Sequence, residues 1–475
     1  MRAEDLTAIQ WSTNETAPLI GSEKAKRGGT ITFPLYSYPL TFRLYGPNNN
    51  DSFASWNRSF GTGFGLVGMH PTTDEIIPVL ATHWSVQDDH KTVYYKLDPD
   101  ARWSDGKPVT ADDYTYTWEF LNNDFVNDPF AKQVMNDYFE KIEKVDTYTI
   151  KLVGKRPSWK PLLDFNISPT PRHATKLDAE WVARENNVPP VVVGPYTISD
   201  SKSGEYVEFR RIANWWGDKK RTFAGQYNVD KIRLIALTDQ ERDLDFLRKG
   251  QLSVIPINRA GRWANEMDLD EIKKGWMHRK KVYLELPDGV SGFCFNLKQP
   301  IFQNKDFRKA LQHLLDFETL NEKIMFNAYF RKVSLFEGTP FANPDLKPYG
   351  YNPKMARELL MKAGFTKRGE DGILVNAAGQ RASFSLNYST KSFERHLTVM
   401  QNTFKRAGVE MKLQLLEPGA MFQKALEKAH EATMISMTSG LYPEPHQYFH
   451  SSLKDQKQNN NFWAFGSPET DELID

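Results

Sequence analysis

Residues 288–317, which read DGVSGFCFNLKQPIFQNKDFRKALQHLLDF, decide the fold of this chain. The first part predicts a strand, because apolar side chains occupy every second position. These side chains are Phe293, Phe295 and Leu297. Pro300 ends the strand, and five apolar side chains then recur at the spacing of an amphipathic helix. They are Phe307, Ala310, Leu311, Leu314 and Leu315. A strand that leads into such a helix is typical of an α/β core.

Strands and helices alternate through the rest of the chain. A helix is expected to begin at Thr110, which is followed three residues later by Asp113 in a capping-box arrangement. The pattern of residues 383–415 predicts a strand, a helix and a second strand, and therefore a βαβ unit. Further strands are predicted at residues 30–35, 144–153, 232–236 and 252–257. The polar residues up to about Arg27 are expected to form a loosely packed arm.

Length and composition indicate more than one core. The chain has 475 residues, of which 40% are hydrophobic and 25% are charged, and this is more than a single core usually holds. The net charge is +1 and no long basic block occurs, so we expect neither nucleic-acid binding nor a membrane-surface role. The sequence has no run of about 18 apolar residues, so it predicts no membrane-spanning helix.

The sequence contains no recognisable catalytic or metal-binding motif. Its single cysteine, Cys294, lies in an apolar strand, which predicts a buried small hydrophobic residue. Turn and helix-cap roles account for Asp105, Asp112 and Asp113 without catalysis. His446 and His450 are four residues apart, but no third metal ligand is indicated. We therefore predict no catalytic residue, no metal and no cofactor, and a protein that is not an enzyme.

Several stretches, in the same order, resemble one protein family. They are Phe295-Asn296, the run F-x-x-K-D-F-R-K-A-L at 302–311, P-x-L-A-x-x-W at 78–84, W-S-D-G-K-P at 103–108 and G-P-Y at 194–196. Together they resemble the family-5 extracellular solute-binding proteins of peptide-type ABC importers. The run D-F-E-x-x-N at 316–321 resembles the microcin C and oligopeptide-binding branch.

The resemblance implies an α/β, two-lobed periplasmic-binding-protein fold with mixed sheets and an extra domain inserted in lobe I. Residues 1–50 would form the first segment of lobe I with the N-terminal arm, and residues 51–160 the inserted domain. Residues 161–285 would complete lobe I, and residues 286–475 would form lobe II. The C-terminal return to lobe I that the family has is expected to be missing from this chain.

The resemblance also implies a function. The protein would be a monomer that captures an oligopeptide or peptide-like solute in an interlobe cleft and delivers it to the ABC permease subunits at the membrane. It would be periplasmic, after removal of a signal peptide that this sequence does not contain. The binding residues that we predict are Tyr36, Ser37 and Tyr38 in lobe I, and Asn296, Met437, Ser439 and Tyr442 in lobe II.

Alternatives stay open because one feature of the branch is absent. The branch commonly has D-M-I where this chain has Thr433-Met434-Ile435, so an expected carboxylate for the ligand amine is missing. A binder of a non-peptide solute, such as an opine, a sugar or a metal chelate, is the first alternative. A hydrolase that uses paired carboxylates is a more remote one, and facing carboxylates with perturbed pKa values would favour it.

Overall fold

The computed structural model describes residues 6–49, 52–237, 239–284, 287, 289–437 and 440–474. Its internal contacts divide the chain into two compact units, Met1–Pro256 and Ile257–Asp475. This division falls earlier in the chain than the boundary predicted before residue 286, and the four-part division stays a prediction. None of the helices in the described residues is long and apolar enough to cross a membrane.

The N-terminal unit combines ten strands with six α-helices among its described residues. The strands are β1 (Thr30–Leu35), β2 (Val67–Met69), β3 (Ile76–Pro78), β4 (Ala81–Val86), β5 (Thr92–Leu97), β6 (Phe139–Asp146), β7 (Thr149–Gly154), β8 (Tyr196–Lys202), β9 (Tyr206–Arg211) and β10 (Lys231–Ala236). The helices are α1 (Ser52–Asn57), α2 (Ala111–Asn122), α3 (Pro129–Tyr138), α4 (Pro161–Asp164), α5 (Trp181–Arg184) and α6 (Asp243–Arg248).

Two four-stranded sheets organise this unit. The first has the strand order β1-β10-β9-β8, with β1 parallel to β10 and the other pairs antiparallel. The second, β4-β5-β7-β6, is antiparallel throughout. Strands β2 and β3 form a separate antiparallel pair. The second sheet lies wholly within residues 81–154, and its apolar residues join a large core that includes Tyr95, Tyr114 and Trp215.

Two of the predicted strands are wrong. Residues 144–153 form parts of two strands, β6 and β7, because the chain reverses at Thr147 and Tyr148, where Asp146 Oδ1 accepts a hydrogen bond from Tyr148 N at 2.8 Å. Residues 252–257 form no strand. Within them, the backbone N–H groups of Ser253 and Val254 donate to Thr32 O, and Thr32 N donates to Ser253 Oγ, so this stretch contacts β1 at Thr32 without forming a ladder. The strands predicted at 30–35 and 232–236 are confirmed.

Helix α2 begins as predicted. Asp113 Oδ2 accepts a hydrogen bond from Thr110 N at 2.9 Å, so the carboxylate satisfies a backbone donor at the helix start. The same oxygen accepts from Trp103 Nε1 at 3.3 Å. Burial raises the pKa of Asp113, although these hydrogen bonds oppose the shift. The structural role predicted for Asp113 is therefore confirmed.

The side chains of the N-terminal arm whose burial is described are half-buried or exposed, as expected of a loosely packed arm, but specific contacts tie the arm to the N-terminal unit. The backbone N–H and carbonyl of Ser12 both pair with Trp84, at 2.8 and 3.0 Å, along β4 at the margin of its sheet. Arg27 Nη2 lies 2.7 Å from Asp218 Oδ1. The polar composition of the arm did not predict these partners, which lie far along the chain.

The C-terminal unit contains six strands and ten α-helices among its described residues. The strands are β11 (Val290–Phe295), β12 (Lys367–Arg368), β13 (Leu374–Val375), β14 (Ser383–Tyr388), β15 (Glu410–Leu415) and β16 (Ala432–Met437). The helices are α7 (Ala260–Asn265), α8 (Asp270–Lys273), α9 (Pro300–Gln303), α10 (Lys305–Leu314), α11 (Phe317–Lys323), α12 (Pro353–Lys362), α13 (Glu394–Ala407), α14 (Pro418–Leu426), α15 (His446–Phe449) and α16 (Pro468–Ile474).

The sheet of this unit has the order β11-β16-β14-β15. Strand β14 runs parallel to β15 and β16, and β11 runs antiparallel to β16. The predicted βαβ unit is confirmed, because α13 connects the parallel strands β14 and β15. One face of the sheet packs with residues of α10, α12 and α13 in a single apolar core. The opposite face contributes Cys294, which contacts Ala425 of α14 and Phe462.

The strand and the amphipathic helix predicted within residues 288–317 are both present, but β11 ends at Phe295, before Leu297, and Pro300 begins the short helix α9 instead of ending the strand. Strand β11 leads into α10, and the apolar stripe of α10 is buried, while Leu315 forms its C-terminal cap. The side chain of Asn304 accepts a hydrogen bond from Phe307 N at 3.1 Å and caps the start of the helix. Phe295 stacks on Phe302 with ring centroids 4.6 Å apart. Strand and helix therefore share one core.

Candidate functional site

The predicted residues of the N-terminal unit follow the end of β1. The hydroxyl of Tyr36 donates to Asp243 Oδ2 at 2.9 Å, and Asp243 is buried. Ser37 is exposed. Tyr38 is half-buried and packs on the core formed by β1 and its neighbouring strands. Of the three, Ser37 is the most accessible in this structure, and ligand contact by all three stays a prediction.

Asn296 follows the last residue of β11 and is completely buried, with 0% of its surface exposed. Its amide nitrogen donates to Lys428 O at 2.9 Å and to His430 O at 2.8 Å. Its amide oxygen accepts from Lys298 N at 3.0 Å. The amide thus holds the end of β11 to the loop that precedes β16. A contact between Asn296 and a ligand stays a prediction, and the role that the structure shows is structural.

The other predicted residues of the C-terminal unit lie at and beyond the end of β16. Met437, the last residue of β16, is buried and pairs with Val290 at the start of β11. Tyr442 is half-buried, with its ring centroid 6.3 Å from that of Phe341. Ser439 lies outside the described residues. Met437 therefore lies beside the start of β11, and Tyr442 forms an aromatic pair with Phe341.

Arg331 is a candidate ligand-binding residue that we did not predict from the sequence. Its Nη2 donates to Gln312 O at 3.2 Å and to Gln312 Oε1 at 3.1 Å, whereas the buried Nη1 has no hydrogen-bond partner in the described structure. Burial lowers the pKa of this guanidinium, and the nearby Glu318 opposes the shift. A half-buried cation with an unused donor can bind a carboxylate. No spacing or motif marks Arg331 in the sequence, because its burial depends on the loop around it.

A buried polar cluster lies beside Asn296 and consists of Asn296, Lys428, His430, Asn459 and Asn461. Lys428 Nζ donates to Asn459 Oδ1 at 3.0 Å and to Asn461 O at 2.7 Å. Burial lowers the pKa of Lys428 to about 8 and the pKa of His430 to about 4. The cluster connects β11, the loop before β16 and the segment around residue 460, so it fixes the elements that flank the predicted site.

Cys294 lies next to this cluster and is buried, as predicted, with 1% of its surface exposed. Burial raises the pKa of its thiol well above the ordinary range, although nearby Lys428 opposes this shift. Thiolate is the nucleophilic form of cysteine. The environment of Cys294 therefore suits packing and not nucleophilic chemistry.

The carboxylates that a hydrolase would need have other partners. Asp105 accepts from Lys107 N at 3.2 Å and from His173 Nε2 at 2.7 Å. Burial acts to raise the pKa of Asp105, but these hydrogen bonds outweigh it, so the pKa is lowered. Asp112 Oδ2 lies 2.7 Å from Lys144 Nζ on the surface. The contacts of Asp105 support the turn role expected for it, whereas Asp112 forms a surface ion pair.

His446 and His450 stack with ring centroids 4.4 Å apart. Their arrangement gives two neighbouring nitrogen ligands at most, and a protein site for a transition metal usually needs three or four. The described residues contain no group of three or more His, Cys, Asp or Glu side chains that could hold a metal ion.

The family model described as bacterial extracellular solute-binding proteins, family 5 (middle), matches residues 75–460. The chain belongs to this family. The match extends from the N-terminal unit far into the C-terminal unit, so both units are parts of one family-5 solute-binding protein. The members are extracellular solute-binding proteins of bacteria, and the family is one of binding proteins and not of enzymes.

Solved structures share the fold of this family-5 protein. The oligopeptide-binding protein AppA from Bacillus subtilis, solved with a nonapeptide, has a TM-score of 0.77 at 20% identity, covering 95% of this chain and 87% of AppA. NikZ from Campylobacter jejuni, solved with Ni(L-His), has a TM-score of 0.75 at 20% identity, covering 94% of this chain and 85% of NikZ. The two-lobed periplasmic-binding-protein fold with mixed sheets is therefore confirmed.

A sequence relative extends the similarity along nearly the whole chain. The peptidoglycan-binding protein YepA of Agrobacterium fabrum is 23% identical over 504 residues, which cover 95% of this chain and 80% of the relative. The similarity thus includes residues on both sides of the region that the family model matches.

Proposed function

We propose that this family-5 protein is the substrate-binding component of an ABC importer and that its solute is an oligopeptide or a peptide-like molecule. The observation that carries the proposal is the family match across residues 75–460, which includes parts of both units. A binding protein of this kind needs two lobes whose equilibrium between open and closed states is shifted by the solute.

The chemistry at the end of β16 supports a peptide ligand. Tyr442 and Phe341 provide aromatic surface for apolar side chains, and Met437 adds an adaptable apolar side chain. Elsewhere in the same unit, beside Gln312, Arg331 supplies a guanidinium donor that suits a peptide carboxylate. The similarity of the fold to AppA, which was solved with a nonapeptide, agrees with this ligand class. Placement in the microcin C and oligopeptide-binding branch is part of the proposal.

The proposal includes a location and partners. The protein acts in the periplasm as a monomer and delivers its solute to the membrane permease of the importer. It performs no reaction on the solute. The seven predicted residues, Tyr36, Ser37, Tyr38, Asn296, Met437, Ser439 and Tyr442, are proposed to lie at or near the bound solute.

Native mass spectrometry of protein purified without denaturation tests the ligand class. A bound mass that fragments into amino acids is expected, and calorimetry with the corresponding synthetic peptide should then show one site. Tyr442→Ala should weaken that peptide about tenfold through lost aromatic packing, while Tyr351→Ala, at an exposed tyrosine of the same unit, should not. Equal affinity of both variants would remove Tyr442 from the site, and a protein that binds no peptide would contradict the proposal.

Arg331 permits a separate test of the peptide proposal. Arg331→Gln should weaken a peptide with a free C-terminal carboxylate about tenfold and leave its C-terminal amide nearly unaffected, because a charge-assisted hydrogen bond is lost only for the acid. An equal loss for both peptides would indicate a structural role for Arg331.

A non-peptide solute is the second candidate. Thr433, which stands where the microcin C branch commonly has an aspartate, is buried with its hydroxyl unpaired in the described structure, so it offers no charge for a ligand amine. NikZ shows that the fold accommodates Ni(L-His). A bound mass that yields a sugar, an opine or a metal chelate would move the assignment to this candidate.

A further inference from the structure

Residues 273–284 form a short segment of unusual composition, KKGWMHRKKVYL, which we call the basic–aromatic segment. It contains five lysines and arginines and no acidic residue, in a chain whose 61 basic and 60 acidic residues nearly balance. The net charge of the whole chain is nearly neutral, and for that reason we expected no membrane-surface role. The net charge does not reveal this local excess of positive charge. Local charge, and not the total, decides what such a surface attracts.

The apolar side chains of this segment are exposed. Among the described residues, six large apolar side chains are more than two-thirds exposed, and four of these lie in the basic–aromatic segment. They are Trp276 at 73%, Val282 at 78%, Tyr283 at 85% and Leu284 at 68%. Clusters of exposed apolar side chains beside charges mark interaction surfaces more often than isolated ones do.

Most of the cations form no ion pair with an acidic side chain in the described part of the chain. Lys273 Nζ lies 3.1 Å from Asp268 Oδ1, but no ion pair joins the other four cations to an acidic side chain of the described residues. Three of these four cations instead lie against tryptophans. Lys274 Nζ is 4.9 Å from the ring centroid of Trp276, and Arg279 and Lys281 lie 5.2 and 5.7 Å from that of Trp263 in α7. The arrangement gathers positive charge beside aromatic rings.

We propose that the basic–aromatic segment docks the protein on an anionic phospholipid surface. Four cations that form no ion pair among the described residues are complementary to anionic headgroups. Tryptophan and tyrosine prefer the interface between headgroups and acyl chains, where Trp276 and Tyr283 would insert. Val282 and Leu284 would add apolar area to the buried contact. Docking would hold the protein at the membrane, independently of which solute it binds.

The conformation of the segment favours a lipid surface over an acidic protein. Apart from Lys273 at the end of α8, its residues lie in no helix or strand, so an irregular segment presents the exposed apolar side chains. A fluid interface can accommodate such a surface, whereas a protein partner of comparable affinity requires matched shape. The acidic protein is therefore the alternative outcome of the test.

Co-sedimentation with vesicles tests the proposal on the full chain. The wild-type protein should bind vesicles of phosphatidylcholine with 30% phosphatidylglycerol at least about tenfold more tightly than vesicles of phosphatidylcholine alone, and salt should weaken the binding. The variant with Lys274→Gln, Arg279→Gln, Lys280→Gln and Lys281→Gln should lose most of this preference. Trp276→Ser with Tyr283→Ser should weaken the binding without abolishing its dependence on salt.

A charge-matched control removes four exposed lysines elsewhere in the same unit, by Lys354→Gln, Lys391→Gln, Lys454→Gln and Lys457→Gln. This control should bind anionic vesicles within about twofold of the wild type if the cluster, and not total charge, matters. Equal losses in the two quadruple variants would overturn the proposal. So would a wild-type protein that binds no anionic vesicle, or one that binds only vesicles carrying the permease, which would assign the segment to an acidic protein face. Solute binding and the thermal midpoint, measured in parallel, verify that each variant is folded.

Discussion

A single buried amide organises the neighbourhood of the predicted site. Asn296 was expected to meet the solute, but its two N–H groups are already used by the carbonyl groups of Lys428 and His430. Buried carbonyl groups need a donor, and an asparagine side chain can supply two at once. The residue type is thus explained by the loop that it holds, and this explanation needs no ligand.

Asn296→Ala should destabilise the protein by about 3 kcal/mol, because two buried carbonyl groups lose their donor. Urea unfolding would measure this loss. Asn402→Ala, at an exposed position on α13, should change the free energy of unfolding by less than about 0.5 kcal/mol. If Asn296→Ala proved as stable as the control but lost solute affinity, the amide would act mainly at the ligand.

At the scale of elements, the connection from α13 to β15 shows a backbone constraint. Gly408 follows α13 with a φ of +92°, and a Cβ built there would lie 2.6 Å from Leu374 Cγ. The left-handed backbone and the close approach of Leu374 both exclude a larger side chain. The turn of the βαβ unit therefore depends on a glycine at this position.

Gly408→Ala should destabilise the protein by about 3 kcal/mol, through unfavourable backbone geometry and a clash with Leu374. Gly250→Ala is a matched control, since Gly250 has a φ of +71° but nothing within 4 Å of an added Cβ. Its cost should be only about 1 kcal/mol, from the backbone alone. Equal costs in urea unfolding would show that Leu374 moves aside freely.

The N-terminal arm makes specific contacts that its polar composition did not reveal. Its backbone pairs with Trp84 of β4, and Trp11 lies under Lys96 Nζ at 4.3 Å from the ring centroid. Polar composition indicates low burial but not where backbone hydrogen bonds are made. The arm thus covers part of β4, which lies at the margin of its sheet.

Removal of residues 1–18 should destabilise the N-terminal unit by about 3 kcal/mol, because several hydrogen bonds are lost and part of β4 is exposed. Thermal unfolding and limited proteolysis would detect this. Thr13→Ala, which removes only the bond from Thr13 Oγ1 to Thr82 O, should cost no more than about 1 kcal/mol. A shortened protein with an unchanged melting temperature would show that the arm contributes nothing to stability.

At the scale of the whole molecule, buried basic groups couple stability to pH. The pKa of His430 is about 4 in the folded protein because the side chain is buried, compared with an ordinary value of 6.5. A histidine whose pKa is lower in the folded state binds its proton more readily in the unfolded state. Falling pH therefore favours unfolding, mainly between pH 6.5 and pH 4.

The free energy of unfolding should fall by about 3 kcal/mol over this interval through His430 alone. His430→Phe should flatten that part of the profile, whereas His278→Phe, at an exposed histidine, should not. Urea unfolding at several pH values provides the measurement. An unchanged slope in His430→Phe would assign the acid sensitivity to other groups.

Local patterns in the sequence determined much of the fold. Alternating apolar residues predicted β11, the apolar stripe predicted α10, and Thr110 with Asp113 predicted the start of α2, because each pattern reflects interactions between residues close in the chain. The family resemblance, carried by several motifs in order, was confirmed by the match across residues 75–460. The ligand-contacting role of the seven predicted residues stays a prediction.

The tertiary structure decided what local patterns do not encode. The turn at Thr147 and Tyr148 divides an apparently continuous strand, the polar arm pairs with β4, and Arg331 becomes half-buried within its loop. Burial and hydrogen-bond partners depend on residues distant in sequence, and Asn296 is held by carbonyl groups more than 130 positions away. The sequence by itself therefore determined the elements and the family, whereas long-range packing decided whether a given polar side chain is structural or available to a ligand.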